Sequence, residues 1–186
     1  MAEPHSAIGS LMHEHQLILR VVADLRAEME RSVRNEQLDV GYIRTVVDFI
    51  RAYADRCHHG KEEDILFRDL GHKELPPELA AEMQRLIDDH VWARAATKRM
   101  LEAAGRYSAG DGDAYAEVTA VMHELADFYP DHIEREDHHF FKPAIEFFTP
   151  DERQEMSEQF KEFDRHLFHE RYRAEVEQLE ARRQQL

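Results

Sequence analysis

The stretch CHHGKEEDILF, residues 57–67, sets His58 and His59 just ahead of Glu62 and Glu63 and closes on an apolar end. Such a segment is either a solvated polar face or the lining of something that needs imidazole and carboxylate together. A second stretch, DHIEREDHHFF at 131–141, decides how to read it. His58 falls on His132, Lys61 on Arg135, Glu62 on Glu136, Glu63 on Asp137 and Phe67 on Phe141, all at an offset of 74 residues. Upstream of each, HEHQLILR (13–20) and DDHVWARA (88–95) align at an offset of 75, Glu14 on Asp89 and His15 on His90. The chain therefore reads as two helical hairpins, each of the form H…HxxxE, related by a pseudo-two-fold axis. The repeat chooses between neighbours: His58 recurs and His59 does not, His15 recurs and His13 does not.

Hydrophobic periodicity makes the same choice and supplies the helices. The first is expected over about Ser6–Arg34, with Ile8, Leu11, Met12, His15, Ile18, Leu19, Val22 and Leu25 in one stripe. The second covers about Val40–Leu70, its inward side including Val47, Ile50, Ala54, Cys57, His58, Lys61, Glu62 and Ile65. Gly71, Pro76 and Pro77 break the pattern. A third helix follows from about Pro77 to Ser108, and a fourth from about Ala114 to Phe148. Pro130 is a candidate kink in the fourth and Pro143 a candidate bend or end. Thr149 is a plausible N-cap with Pro150 at the first position of a fifth helix that reaches the C-terminus. Long antiparallel helices on short loops make an all-α, up-down four-helix bundle. The expected division is a bundle over 1–148 and a helical extension over 149–186, packing through Phe160, Phe163 and Leu167.

Bulk properties agree and exclude other classes. A chain of 186 residues suits one domain with a real core. Few glycines (7) and prolines (6) with 34% charged residues favour long helices over a turn-rich sheet. A net charge of −15 argues against a nucleic-acid partner. Cys57 is the one cysteine, which excludes a disulfide framework and a thiolate zinc site. The start MAEPHSAIGSLMHEH has neither a basic region nor a long apolar run, so no secretory signal is expected. No apolar stretch long enough to cross a membrane is present, and the default expectation is a cytoplasmic protein. Oligomeric state is not read from the sequence.

Folding the four helices together brings six groups into the core: His15, His58, Glu62, His90, His132 and Glu136. Burying them without partners would cost many kcal/mol, and a pair of cations is an economical answer. Imidazole with carboxylate and no sulfur points first to non-haem iron, with zinc or manganese as alternatives. Residues i and i+4 stack on one helix face, so each HxxxE pair can put its nitrogen on one metal and its carboxylate across to a second. Around this set, His59 and Glu63 read as residues behind the ligands or in solvent, and Asp137 as an alternative or additional ligand beside Glu136. His138, His139, His166 and His169 read as surface residues, and Tyr53, Tyr129 and Cys57 as packing neighbours.

The order H…HxxxE…H…HxxxE, carried by MHEHQLI, CHHGKEEDILF, DDHVWAR and DHIEREDHHFF, resembles the hemerythrin-like, HHE cation-binding family over residues 8–145. That resemblance implies a di-iron centre that binds a diatomic such as dioxygen, or handles peroxide or nitric oxide. Dioxygen-carrying members place a second histidine one turn after the third-helix ligand, where this chain has Arg94. They also use an aspartate five residues after the fourth-helix histidine. Asp137 stands there, whereas Glu136 fits both the repeat and the wider family. The loss of one histidine favours sensing, storage or redox reaction over reversible carriage. The alternatives are an enzyme with peroxidase- or catalase-like or iron-centre repair activity, and a metal-stabilised helical interaction module.

Overall fold

The computed structural model describes residues 6–184, with side chains described through residue 167. It is all-α, with no strand among the described residues. Helix α1 is Ala7–Asn35. Helix α2 runs unbroken over residues 40–70, α3 is Pro77–Ser108, α4 runs over residues 114–145 and α5 is Pro150–Gln184. The fourth helix stops three residues short of the expected Phe148. The outer limits of the expected division, 1 and 186, lie outside the described residues.

Local chemistry sets the helix ends. The Ser6 side chain accepts from Gly9 N–H, and Asp39 from Tyr42 N–H, each satisfying an otherwise orphaned donor of the first turn. At α5, Glu152 N–H donates to Thr149 Oγ1 while Thr149 N–H donates to Glu152 Oε2, a reciprocal capping box ahead of Pro150. Pro130 stays within the helix. Lacking an N–H, it leaves the Ala126 carbonyl unpaired along the helix, and Arg26 Nη2 of α1 donates to that oxygen at 2.6 Å.

Two long helices depart from α geometry. In α2, Ile50–His59 and Glu62–Phe67 form wide i→i+5 turns, as does Glu136–Phe140 in α4. The Gly60 N–H reaches back to Asp55 O, the five-residue step of such a turn. All three segments carry residues of the two HxxxE motifs.

The four long helices form the bundle, and α5 packs against α1 and the wide-turn part of α2. Their apolar faces form two separate clusters. One joins Ile18, Val22 and Leu25 of α1 to Val47, Met100, Met122 and Leu125. The other joins Ile8 and Leu11 to Leu66, Leu70, Leu86, Phe140, Phe141 and Phe160. Between them lies a belt of buried polar residues. Three expectations on the inward faces change: Leu19 is 36% exposed, and Met12 and Cys57 are only partly buried. Phe160 is buried and Phe163 partly buried against the second cluster, so α5 docks through both. Leu167 is partly buried.

Candidate metal centre

The belt holds His15, His58, Glu62, His90, His132 and Glu136, none more than 1% exposed. They are buried because each lies on its helix's core face between the two apolar clusters. Ligand atoms of His15, His58, Glu62 and Glu136 converge within 4.8 Å of one another, and those of His90 and His132 form a second group with His59.

The two glutamates reach both groups. Glu62 Oε1 lies 3.5 Å from His58 Nε2, and its Oε2 lies 3.5 Å from His90 Nε2. Glu136 Oε2 lies 3.2 Å from His15 Nε2, and its Oε1 lies 3.2 Å from His132 Nε2 and 3.7 Å from His90 Nε2. None of these four oxygens has a well-formed hydrogen bond among the described residues, nor do Nε2 of His90 and of His132. Buried polar atoms are rarely left so. Donors held about 2.0–2.2 Å from one ion sit roughly 3–3.5 Å from each other, close to the separations seen. The donor set therefore fits a pair of cations, with the two carboxylates between them.

Behind each imidazole stands a carboxylate. Nδ1 of His15 donates to Asp137 at 2.9 Å, Nδ1 of His58 to Glu14 at 2.9 Å, Nδ1 of His90 to Glu63 at 2.7 Å and Nδ1 of His132 to Asp89 at 3.3 Å. An ionised carboxylate can only accept, so the proton sits on Nδ1 and Nε2 faces the centre. Three of these carboxylates are in turn held by cations: Glu14 by the fully buried Lys61, Glu63 by Arg94 at 2.7 Å and Asp89 by Arg135. Burial works against the charge on each of the three. The histidine and the cation outweigh it and hold all three below the usual carboxylate range. The pseudo-two-fold relation extends to these pairs, since Glu14–Lys61 maps on Asp89–Arg135 and Glu63 on Asp137.

Charge at the centre itself is balanced by protons in the metal-free chain. Burial, then repulsion from Glu136, pushes the Glu62 carboxyl well up. Burial opposes charge on Glu136 too, but His132, His15 and His90 hold it well down. Burial works against charge on His15, but the Asp137 and Glu136 carboxylates beside it outweigh that and raise it to about 9. His58 is pushed down to about 4 by burial and by His15. The Nε2 atoms of these two rings are 2.8 Å apart, a proton donated from His15 to His58.

Two neighbours, Asp137 and His59, are placed differently from the sequence reading, and the others among the described residues fall where it had them. Asp137 backs His15 and does not face the paired glutamates. Glu63 backs His90. His59, set aside because it does not repeat, is 1% exposed, and its ring stacks on His90 with centroids 3.8 Å apart. Its signal was the doubled histidine next to a motif. Its counterpart in the repeat is Ile133, which is buried beside His132 as His59 is beside His58. His138, His139 and His166 are exposed, while the side chain of His169 lies outside those described. Tyr129 is buried and Tyr53 partly so. A third convergence, Glu14 with Cys57 and Asp164, has Lys61 between its carboxylates, with Nζ 2.9 Å from Asp164. It is an ion-pair network joining α5 to the back of His58.

The family model described as Hemerythrin HHE cation binding domain matches residues 6–144. No curated protein and no solved structure matches the chain.

Proposed function

The chain belongs to the hemerythrin HHE cation-binding family, and from that premise we propose that it holds two iron ions and uses them to bind or sense dioxygen or a related small oxidant such as peroxide or nitric oxide. The observation that carries the reading is the pair Glu62 and Glu136, each offering one unpartnered oxygen to each of two histidine groups. His15 and His58 would hold one ion, His90 and His132 the other, with the two carboxylates shared. Imidazole and hard oxygen without sulfur suit iron.

When bound, the iron pair supplies electron transfer and coordination positions for a small molecule. The chain's own residues do the rest. Asp137, Glu14, Glu63 and Asp89 fix the ring orientations and raise imidazole basicity. Lys61, Arg94 and Arg135 balance those carboxylates. The apolar clusters on either side keep bulk water from the belt. No helix among the described residues is long and apolar enough to cross a membrane.

The test is optical. Protein loaded with ferrous iron without air should develop near-ultraviolet and visible bands on exposure to dioxygen and lose them on reduction. His58→Ala should abolish the response. Iron that loads but whose spectrum ignores dioxygen, peroxide and nitric oxide alike would favour a purely structural metal. Sustained turnover of peroxide would favour an enzyme.

A further inference from the structure

One half of the repeat carries a cover that the other lacks. Met156, Ser157, Phe160, Phe163 and Asp164 recur at the spacing of one face of α5. Met156 and Phe160 are buried in the second apolar cluster. Buried Ser157 accepts from the Ala7 N–H at the start of α1, 3.1 Å away. Docked in this way, α5 brings the Asp164 carboxylate to 2.9 Å from Lys61 Nζ and the Phe160 ring centroid to 5.8 Å from the same ammonium. Cys57 Sγ donates to the same Asp164 oxygen at 3.4 Å. Beneath this cover Lys61 is fully buried.

Lys61 stands one step behind a metal-facing histidine. Glu14 gives Oε1 to Lys61 and Oε2 to His58 Nδ1, the latter at 2.9 Å. The chain Asp164–Lys61–Glu14–His58 thus runs from an exposed side chain of α5 to a ring whose Nε2 faces the centre. The repeat supplies the comparison. Behind His132, Asp89 is held by Arg135, whose second carboxylate is Glu82 of α3 at 3.7 Å. Behind His90, Glu63 is held by Arg94, whose second carboxylate is Asp55 of α2 at 2.6 Å. Among the described residues, only the network behind His58 leaves the four-helix bundle.

The consequence is electrostatic. With Asp164 in place, the Lys61 charge is divided between two carboxylates. Without it, the whole charge falls on Glu14, whose other oxygen then holds the His58 proton less strongly. A weaker carboxylate partner makes an imidazole a poorer metal donor.

We propose that Lys61 and Asp164 are positioning residues for the ion at the His15–His58 end, so that docking of α5 sets how firmly that end keeps its metal and leaves the His90–His132 end alone. The proposal deepens the two-ion reading above and rests on it. The pseudo-symmetric centre then has one end tied to α5 and one end set by the bundle itself.

Release of iron from the loaded protein to an excess of chromophoric chelator tests it. In Asp164→Asn, one iron of the two should leave about five- to tenfold faster, below the 10–100-fold typical of removing a direct partner. The other should leave at the parent rate, and Asp164→Glu should restore the first. Asp89→Asn should speed the other iron, so in the double variant both should leave fast. Coupling between two events is reciprocal, so loading iron should slow amide exchange over residues 156–164 several-fold in the parent and not in Asp164→Asn. Release of both irons speeded in Asp164→Asn alone, as general loosening would give, overturns the proposal. Parent rates in that variant, a double variant that keeps one iron at the parent rate, or exchange in α5 indifferent to iron also overturns it. A chain that holds fewer than two irons overturns the functional reading as well. Iron content, measured first, separates that result from failure of the α5 link alone.

Discussion

Glu62 and Glu136 matter at the residue scale because neither is satisfied by the protein alone, while Nδ1 of His15, His58, His90 and His132 each has a carboxylate partner. Glu14, Glu63, Asp89 and Asp137 each take an Nδ1 proton, so removing one should loosen its histidine without unfolding the chain. Glu14→Gln should lower metal affinity about 10–100-fold, measured by competition with a chromophoric chelator, while circular dichroism keeps its helical signal. The centre should also respond to pH with a definite sign. The metal-free His15 is raised to about 9, so at neutral pH a cation must displace its proton. Affinity should therefore rise with pH up to about 9, and adding metal at neutral pH should release protons. For the metal-free fold the same group acts oppositely. A raised histidine contributes stability that is fully present below about 6.5 and lost as pH rises through about 9. Denaturation midpoints of the metal-free protein between those values check it, and a midpoint that rises would contradict it. The six inward residues were legible because stripe and repeat select the same positions. The repeat also paired Glu63 with Asp137, but spacing alone does not say whether a carboxylate faces the centre or stands behind a ring. His59 was not legible, because its counterpart in the repeat is the apolar Ile133 and not a second histidine.

At the scale of the elements, a local change of helical pitch separates this bundle from a plain one. The wide turns fall on Ile50–His59, Glu62–Phe67 and Glu136–Phe140, and such turns are frequent at functional sites. The helices themselves were readable from periodicity and breakers, and the Thr149–Pro150 start of α5 from its capping chemistry. The wide turns were not, since a short apolar pattern fits either pitch. The end of α4 falls at Ile145, where Phe147 N–H and Phe148 N–H close tight turns onto the Ala144 and Ile145 carbonyls in place of further helix. Packing of α5 supplies a test here. A Cβ placed on Gly60 would come within 2.7 Å of Phe163 Cζ, so α5 approaches α2 closely at the residue between the two histidines and Glu62. Gly60→Ala should destabilise the protein by about 1–3 kcal/mol, read by chemical denaturation. Pairing it with Phe163→Ala should recover much of the loss. Additive effects of the two changes would show that the contact does not constrain α2.

At the scale of the molecule, a polar belt interrupts the core between two apolar clusters. Buried carboxylates and imidazoles are costly unless paired, so the bundle is built around whatever binds them. The pseudo-two-fold repeat places one histidine group on each side of the shared glutamates, which makes two ions, and not one, the central claim. The most direct measurement is the iron-to-chain ratio of reconstituted, desalted protein, taken alongside Glu62→Ala and Glu136→Ala variants whose helical content is intact. Two irons per chain in the parent, falling to one or fewer in each variant, is the expected result. A parent that retains one iron or none, or variants that both keep two, would contradict the account.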